Sequence, residues 1–99
     1  MNNDYLIESF KKKEAQVCVI GLGYVGLPLC ISIAKAGFRV IGIDLDKKKV
    51  DAIHNGFSYL KDVCSETLKK YREKGLIQVT STYEKISESQ VVIVCVPTP

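Results

Sequence analysis

Residues 21–26 read Gly21-Leu22-Gly23-Tyr24-Val25-Gly26, a G-x-G-x-x-G directly after an apolar, β-branched run. Each glycine has its own steric reason. The first permits a sharp turn, the second lets the backbone approach a pyrophosphate with no Cβ in the way, and the third lets a helix pack closely on the preceding strand. Backbone amides freed at the helix start, together with the helix dipole, then face the phosphates, worth about 0.3–1 kcal/mol per charge. Glycines also recur in tight turns that bind nothing, so the pattern alone decides little. Asp44 adds to it, eighteen positions after Gly26 at the end of a second predicted strand. An acidic residue there accepts hydrogen bonds from an adenosine ribose, and its charge repels a 2′-phosphate, which points to NAD rather than NADP. Lys47, Lys48 and Lys49 pull the other way as cations able to hold such a phosphate, although a solvated helix face is the ordinary reading of at least two of them.

Other chemistry-bearing residues are less informative. Thr98, in Val96-Pro97-Thr98-Pro99, falls past a predicted fourth strand, at the carboxyl edge where open α/β sheets bind ligands. It offers a hydroxyl and an amide, while the two prolines equally serve simply to stop a strand. His54 stands alone near a helix end and receives no role, and Tyr59 and Tyr71 read as packing aromatics. Cys18, Cys30, Cys64 and Cys95 include no C-x-x-C pair, so they are expected to be reduced structural thiols, with neither a zinc site nor a disulfide framework.

The elements that must position these residues alternate between strand and helix. A short amphipathic helix is expected over residues 4–13, where Tyr5, Leu6 and Phe10 share helical spacing, so residues 1–15 read as a leading helix and residues 16–99 as the N-terminal part of a dinucleotide-binding domain. Strands are expected at 16–20, 39–43, 76–80 and 91–96. A helix from about Tyr24 to Ala36 puts Leu29, Cys30, Ile33 and Ala34 on one face, keeps Pro28 in its first turn and ends at Gly37. Asp46 caps the next helix, which turns Val50 and Ile53 to the sheet; another runs from about Cys64 to Lys74 with Leu68 and Tyr71 inward. Ser81-x-x-Glu84 has capping-box spacing for a further short helix. This alternation predicts an α/β, Rossmann-like parallel sheet with helices on both faces, partial, of about four strands in the order 3-2-1-4.

Composition sets the outer limits. Ninety-nine residues make one domain at most, and 46% hydrophobic with 25% charged residues excludes a disordered or low-complexity chain. A formal charge of +3 is too mild to imply nucleic acid. Residues 17–34 carry no charge, but the glycines, Pro28 and the change of periodicity read as strand, turn and helix rather than a membrane span. Asp4, Glu8 and Glu14 interrupt the basic start that an export signal needs, so a cytoplasmic location is expected.

Taken together, VIGLGYVGLPL at 19–29, GIDLDKKKVDAI at 42–53, Gly56-Phe57-Ser58-Tyr59 and VVIVCVPTP at 91–99 resemble the nucleotide-sugar 6-dehydrogenases. That family includes the UDP-glucose and UDP-N-acetylhexosamine dehydrogenases, and the likeness runs over essentially the whole chain from residue 16. The leading helix and Ser58-Tyr59 look more like the UDP-N-acetylglucosamine branch. The resemblance implies oxidation of the C6 alcohol of a UDP-sugar to a carboxylate with two NAD, through a thiohemiacetal on a cysteine. It implies Tyr24 and Val25 at the pyrophosphate, Asp44 and Lys49 at the adenosine ribose, and Thr98 near the middle of the cofactor. The family's nucleophilic cysteine, its lysine and its UDP-sugar site have no counterpart here, so no catalytic residue is assigned and the chain is expected to be an inactive fragment. A free, apolar edge on the fourth strand is expected to drive homo-oligomerisation. Two other readings stay open: a stand-alone NAD- or ADP-sensing module that regulates a partner without chemistry, and a Rossmann-like remnant that binds nothing.

Overall fold

The computed structural model describes residues 15–95. The helix expected over 4–13, and Thr98 with its flanking prolines, lie outside the described residues. The elements run β1 (Gln16–Ile20), α1 (Gly26–Lys35), β2 (Arg39–Ile43), α2 (Lys47–His54), α3 (Ser65–Glu73), β3 (Ile77–Thr80), a 3-10 turn (Glu84–Glu88) and β4 (Val91–Val94). All strand pairs are parallel, in the order β3-β2-β1-β4. β1 is central, with Val17 opposite Val40 on one side and Val91 on the other. Its apolar run suits that place, since a parallel strand covered on both faces has no solvent-facing side.

The two faces are covered unequally. Val17, Val19, Val40, Ile77 and Val79 share one core with Leu27, Cys30 and Ala34 of α1, Val50 and Ile53 of α2, and Leu68 and Tyr71 of α3. The opposite face holds Cys18, Ile41 and Ile43, with Ile20 and, from the 3-10 turn, Ile86 packed against them. Among the described residues, three α-helices therefore sit on one face and a single 3-10 turn on the other. Val92 and Val94, beyond the reach of that turn, are 43% and 59% exposed.

Several boundaries differ from the sequence reading, each for a local reason. α1 starts at Gly26 rather than Tyr24, because residues 23–25 are spent on the turn. The first helical contact is Leu27 N–H donating to the Gly23 carbonyl at 3.2 Å. Pro28 is then the third helical residue, where its missing N–H costs nothing. The fully buried stripe of α1 is Leu27, Cys30 and Ala34, while Leu29 and Ile33 are half-buried beside it. The capping box at Ser81-x-x-Glu84 does not form. The 3-10 turn begins after Tyr83 with no side-chain cap, and the Thr80 hydroxyl instead accepts from Thr82 N–H at 3.3 Å. The connection must carry the chain from β3 past β2 and β1 to β4 in ten residues, which leaves no length for an α-helix. β3 begins one residue later than expected, at Ile77.

Other expectations hold as read. Asp46 caps α2 by accepting from Lys48 N–H at 3.0 Å, and Gly37 follows α1 at φ 98°. His54 has a structural place: its Nε2 is 2.9 Å from the Val79 carbonyl, tying α2 to β3. Arg72 of α3 donates to the Ile53 carbonyl at 2.8 Å, a second bond to a group that already accepts from Gly56 N–H, and so ties α3 to the end of α2.

Leu27 is fully buried between α1 and the sheet. Leu27→Ala should therefore destabilise the fold by about 2–5 kcal/mol, read as a lower urea midpoint at unchanged slope.

Candidate functional site

The turn from β1 to α1 crosses β4 at backbone distance. Gly21 adopts φ 98°, its N–H donates to the Ile43 carbonyl at 2.7 Å, and Cys95 N–H donates to the Ile20 carbonyl at 2.7 Å. A Cβ on Gly21 would run into the Cys95 carbonyl, and one on Gly26 would run into the carbonyl of Gly21. Gly23 is different: a Cβ there would have nothing within 4 Å and would project into open space. Two glycines are thus required by the fold itself, while the third keeps a hollow clear.

Leu22, between the first two glycines, anchors the turn in three directions. Its side chain is fully buried against β2, where a Cβ on Gly42 would come within 2.7 Å of Leu22 Cδ2. Its N–H donates to Asp44 Oδ2 at 2.9 Å, and its carbonyl accepts from the Tyr59 hydroxyl. The other Asp44 oxygen accepts from Asp46 N–H at 2.9 Å, and Lys49 Nζ lies 3.8 Å from Oδ2. A carboxylate has about four lone-pair sites, so two amides leave Asp44 with acceptor capacity for sugar hydroxyls. The amides of Gly23, Tyr24 and Val25 donate to no protein group among the described residues. Gly23 and Tyr24 immediately precede α1 and Val25 is its N-cap, so all three amides stand at the positive end of that helix.

Gly21, Gly23, Tyr24, Val25, Gly26, Asp44 and Lys49 converge on one hollow of about 560 Å³, larger than those of about 360 and 500 Å³ beside His54. Thr98 lies outside the described residues. The sequence reading did not place Leu60, Tyr59 or Cys95 in this lining. Cys95 could have been found, because a strand parallel to β1 must end beside the β1 turn. Tyr59 gave no local signal, being contributed by a long loop whose path only packing decides. Its hydroxyl is raised above the usual phenol range by burial and, secondarily, by the Asp44 charge.

The hollow fits an adenine dinucleotide: free amides for phosphate, an unfilled Cβ position at Gly23, and an acceptor at the strand end. Two of the thiols are poor nucleophiles. Burial pushes Cys30 up to about 12 and raises Cys18 as well. Cys64 is exposed at the start of α3, and although it forms no capping hydrogen bond, the amides of Thr67 and Glu66 hold its thiol below the ordinary value. Among the described residues no group of His, Cys, Asp and Glu is arranged to hold a metal, and no helix is long and apolar enough to cross a membrane.

Residues 15–99 match the family model described as the UDP-glucose/GDP-mannose dehydrogenase family, NAD binding domain. The UDP-N-acetyl-D-mannosamine dehydrogenase of Methanococcus vannielii is 40% identical over 91 residues, which cover 90% of this chain and 20% of that protein. The UDP-N-acetyl-D-glucosamine 6-dehydrogenase of Salmonella typhi is 40% identical over 86 residues, covering 87% of this chain and 19% of that protein. Among solved structures, the UDP-D-ManNAc dehydrogenase of Pyrococcus horikoshii superposes with a TM-score of 0.79 at 34% identity, covering 85% of this chain and 20% of that one. The fold and the site together define an NAD-binding domain of the Rossmann type. The chain belongs to the UDP-glucose/GDP-mannose dehydrogenase family, within its NAD-binding domain, and spans about a fifth of the length of the curated relatives it matches.

The glycines make opposite predictions. Gly26→Ala should destabilise the fold by about 3 kcal/mol or more, seen as a fall in Tm, since backbone cannot yield to the new carbon. Gly23→Ala should leave Tm unchanged or slightly raised and weaken NAD binding by about ten-fold or more in a calorimetric titration. In the native protein, a thiol-alkylating reagent should label Cys64 well before Cys18 or Cys30, as read by peptide mass mapping.

Proposed function

We propose that this chain holds the ADP half of NAD for a dehydrogenase that oxidises the C6 alcohol of a UDP-sugar, a UDP-N-acetylhexosamine or UDP-glucose, to the carboxylate with two NAD. The observation that carries this is the coupling of Asp44 to the glycine turn. The carboxylate that ties down Leu22 N–H stands at the strand end, beside a hollow left open at Gly23.

Each residue has a physical part in this reading. Gly23, Tyr24 and Val25 offer unpaired amides to the pyrophosphate, helped by the positive end of α1. Asp44 accepts from the ribose hydroxyls with its remaining lone pairs, and Lys49, 3.8 Å away, orients that carboxylate and lies beside the same sugar. Thr98, whose number places it just past β4, is proposed near the middle of the cofactor. NAD, when bound, supplies the hydride acceptor. The protein's share in this chain is binding and orientation, so chemistry at C6 is assigned to the greater length that the relatives possess. Those relatives are named for UDP-N-acetylmannosamine and UDP-N-acetylglucosamine, which supports an acetylated UDP-hexosamine as the substrate class.

Titrating the chain with NAD and NADP in parallel tests the reading. NAD should bind about ten-fold or more tightly than NADP, because a 2′-phosphate would meet the Asp44 carboxylate. Equal or tighter binding of NADP would overturn the role given to Asp44.

A further inference from the structure

We infer that Tyr59 is a positioning residue for the pyrophosphate: its hydroxyl, by holding the Leu22 carbonyl, fixes the direction in which the Gly23 amide points into the hollow. This rests on the nucleotide reading of the hollow and adds to it a residue from a distant loop.

The argument begins with the peptide unit. Leu22 C=O and Gly23 N–H belong to one planar trans peptide, so they point in opposite directions and turn together. Gly23 has no side chain to restrict that rotation, and its N–H has no protein partner among the described residues. The Tyr59 hydroxyl is therefore the contact that sets this plane from its carbonyl side. Asp44 sets the preceding plane in the same way through Leu22 N–H. Both peptides flanking Leu22 are thus clamped by side chains, one from the end of β2 and one from the loop between α2 and α3.

The tyrosine is suited to the task. Its loop is braced independently of the turn: Ser58 N–H donates to Ser65 Oγ at 2.8 Å, and Ser58 Oγ donates to the Leu60 carbonyl at 2.9 Å. The ring is half-buried and lines the hollow, with Lys49 Nζ 6.0 Å from its centre. Burial and, secondarily, the nearby Asp44 charge raise the phenol above its usual range, which favours the protonated, donating form.

Tyr59→Phe keeps the ring and removes only the donor. Affinities for ADP and NAD should fall together by about five-fold to ten-fold, the worth of one ordinary hydrogen bond. Affinity for adenosine, which carries no phosphate, should change by less than about two-fold on the same scale. Titrations followed by 1H–15N correlation spectra read all three ligands, and the Gly23 amide resonance should move in the ligand-free variant. Unchanged ADP affinity, or an equal loss toward adenosine, would overturn the positioning role, as would a Gly23 resonance left in place. A wild-type chain that binds neither ADP nor NAD would instead overturn the nucleotide reading itself.

Discussion

At one point the chain passes over itself with no room for a single extra carbon. Gly21 and Gly26 face each other across the turn, and Gly21 also faces the carbonyl of Cys95 at the end of β4. That crossing brings the end of β1, the start of α1 and the end of β4 to one place. A side chain at either glycine would push the helix off the sheet and take its N-terminal amides away from the strand ends. The hollow exists because the backbone can close this tightly, and its ability to take phosphate follows from the amides left unpaired beside it.

The same economy of contact makes Asp44 serve fold and ligand together. One oxygen holds Leu22 and the other holds Asp46, so the carboxylate joins the glycine turn to the cap of α2. A group so placed is rigid before any ligand arrives, which spares part of the ordering cost of binding. Leu22 completes the link, because its buried side chain fastens the turn to Gly42 in β2. Substitution at Asp44 would therefore act on turn geometry and on ribose recognition at once.

The sheet is covered generously on one side and thinly on the other. Among the described residues, three helices bury one face, while Ile86 is the inward side chain that the short 3-10 connection gives the other. Val92 and Val94 stay exposed on that second face, and the outer edge of β4 has no partner among the described residues. The glycine turn lies at the carboxyl ends of β1, β2 and β4, the position at which open α/β sheets bind ligands.

Much of this was legible in the residues. Strand and helix alternation and the Asp46 cap follow from local periodicity and capping chemistry, while the order 3-2-1-4 and the pairing of the glycine motif with Asp44 follow from the crossover rule for parallel sheets applied to that alternation. The helix start slipped by two residues because the cost of the turn depends on how near β4 comes, and the capping box failed because a ten-residue connection has to span two strands. Tyr59 reads as a packing aromatic in the sequence, since nothing in its neighbours tells that its loop folds back onto Leu22. By itself the sequence determined which elements form and which backbone positions must lack a side chain, because those are questions of local torsion and volume. Only the tertiary structure decided which distant groups clamp the turn and how much of each sheet face is covered, because those depend on where separate segments meet in space.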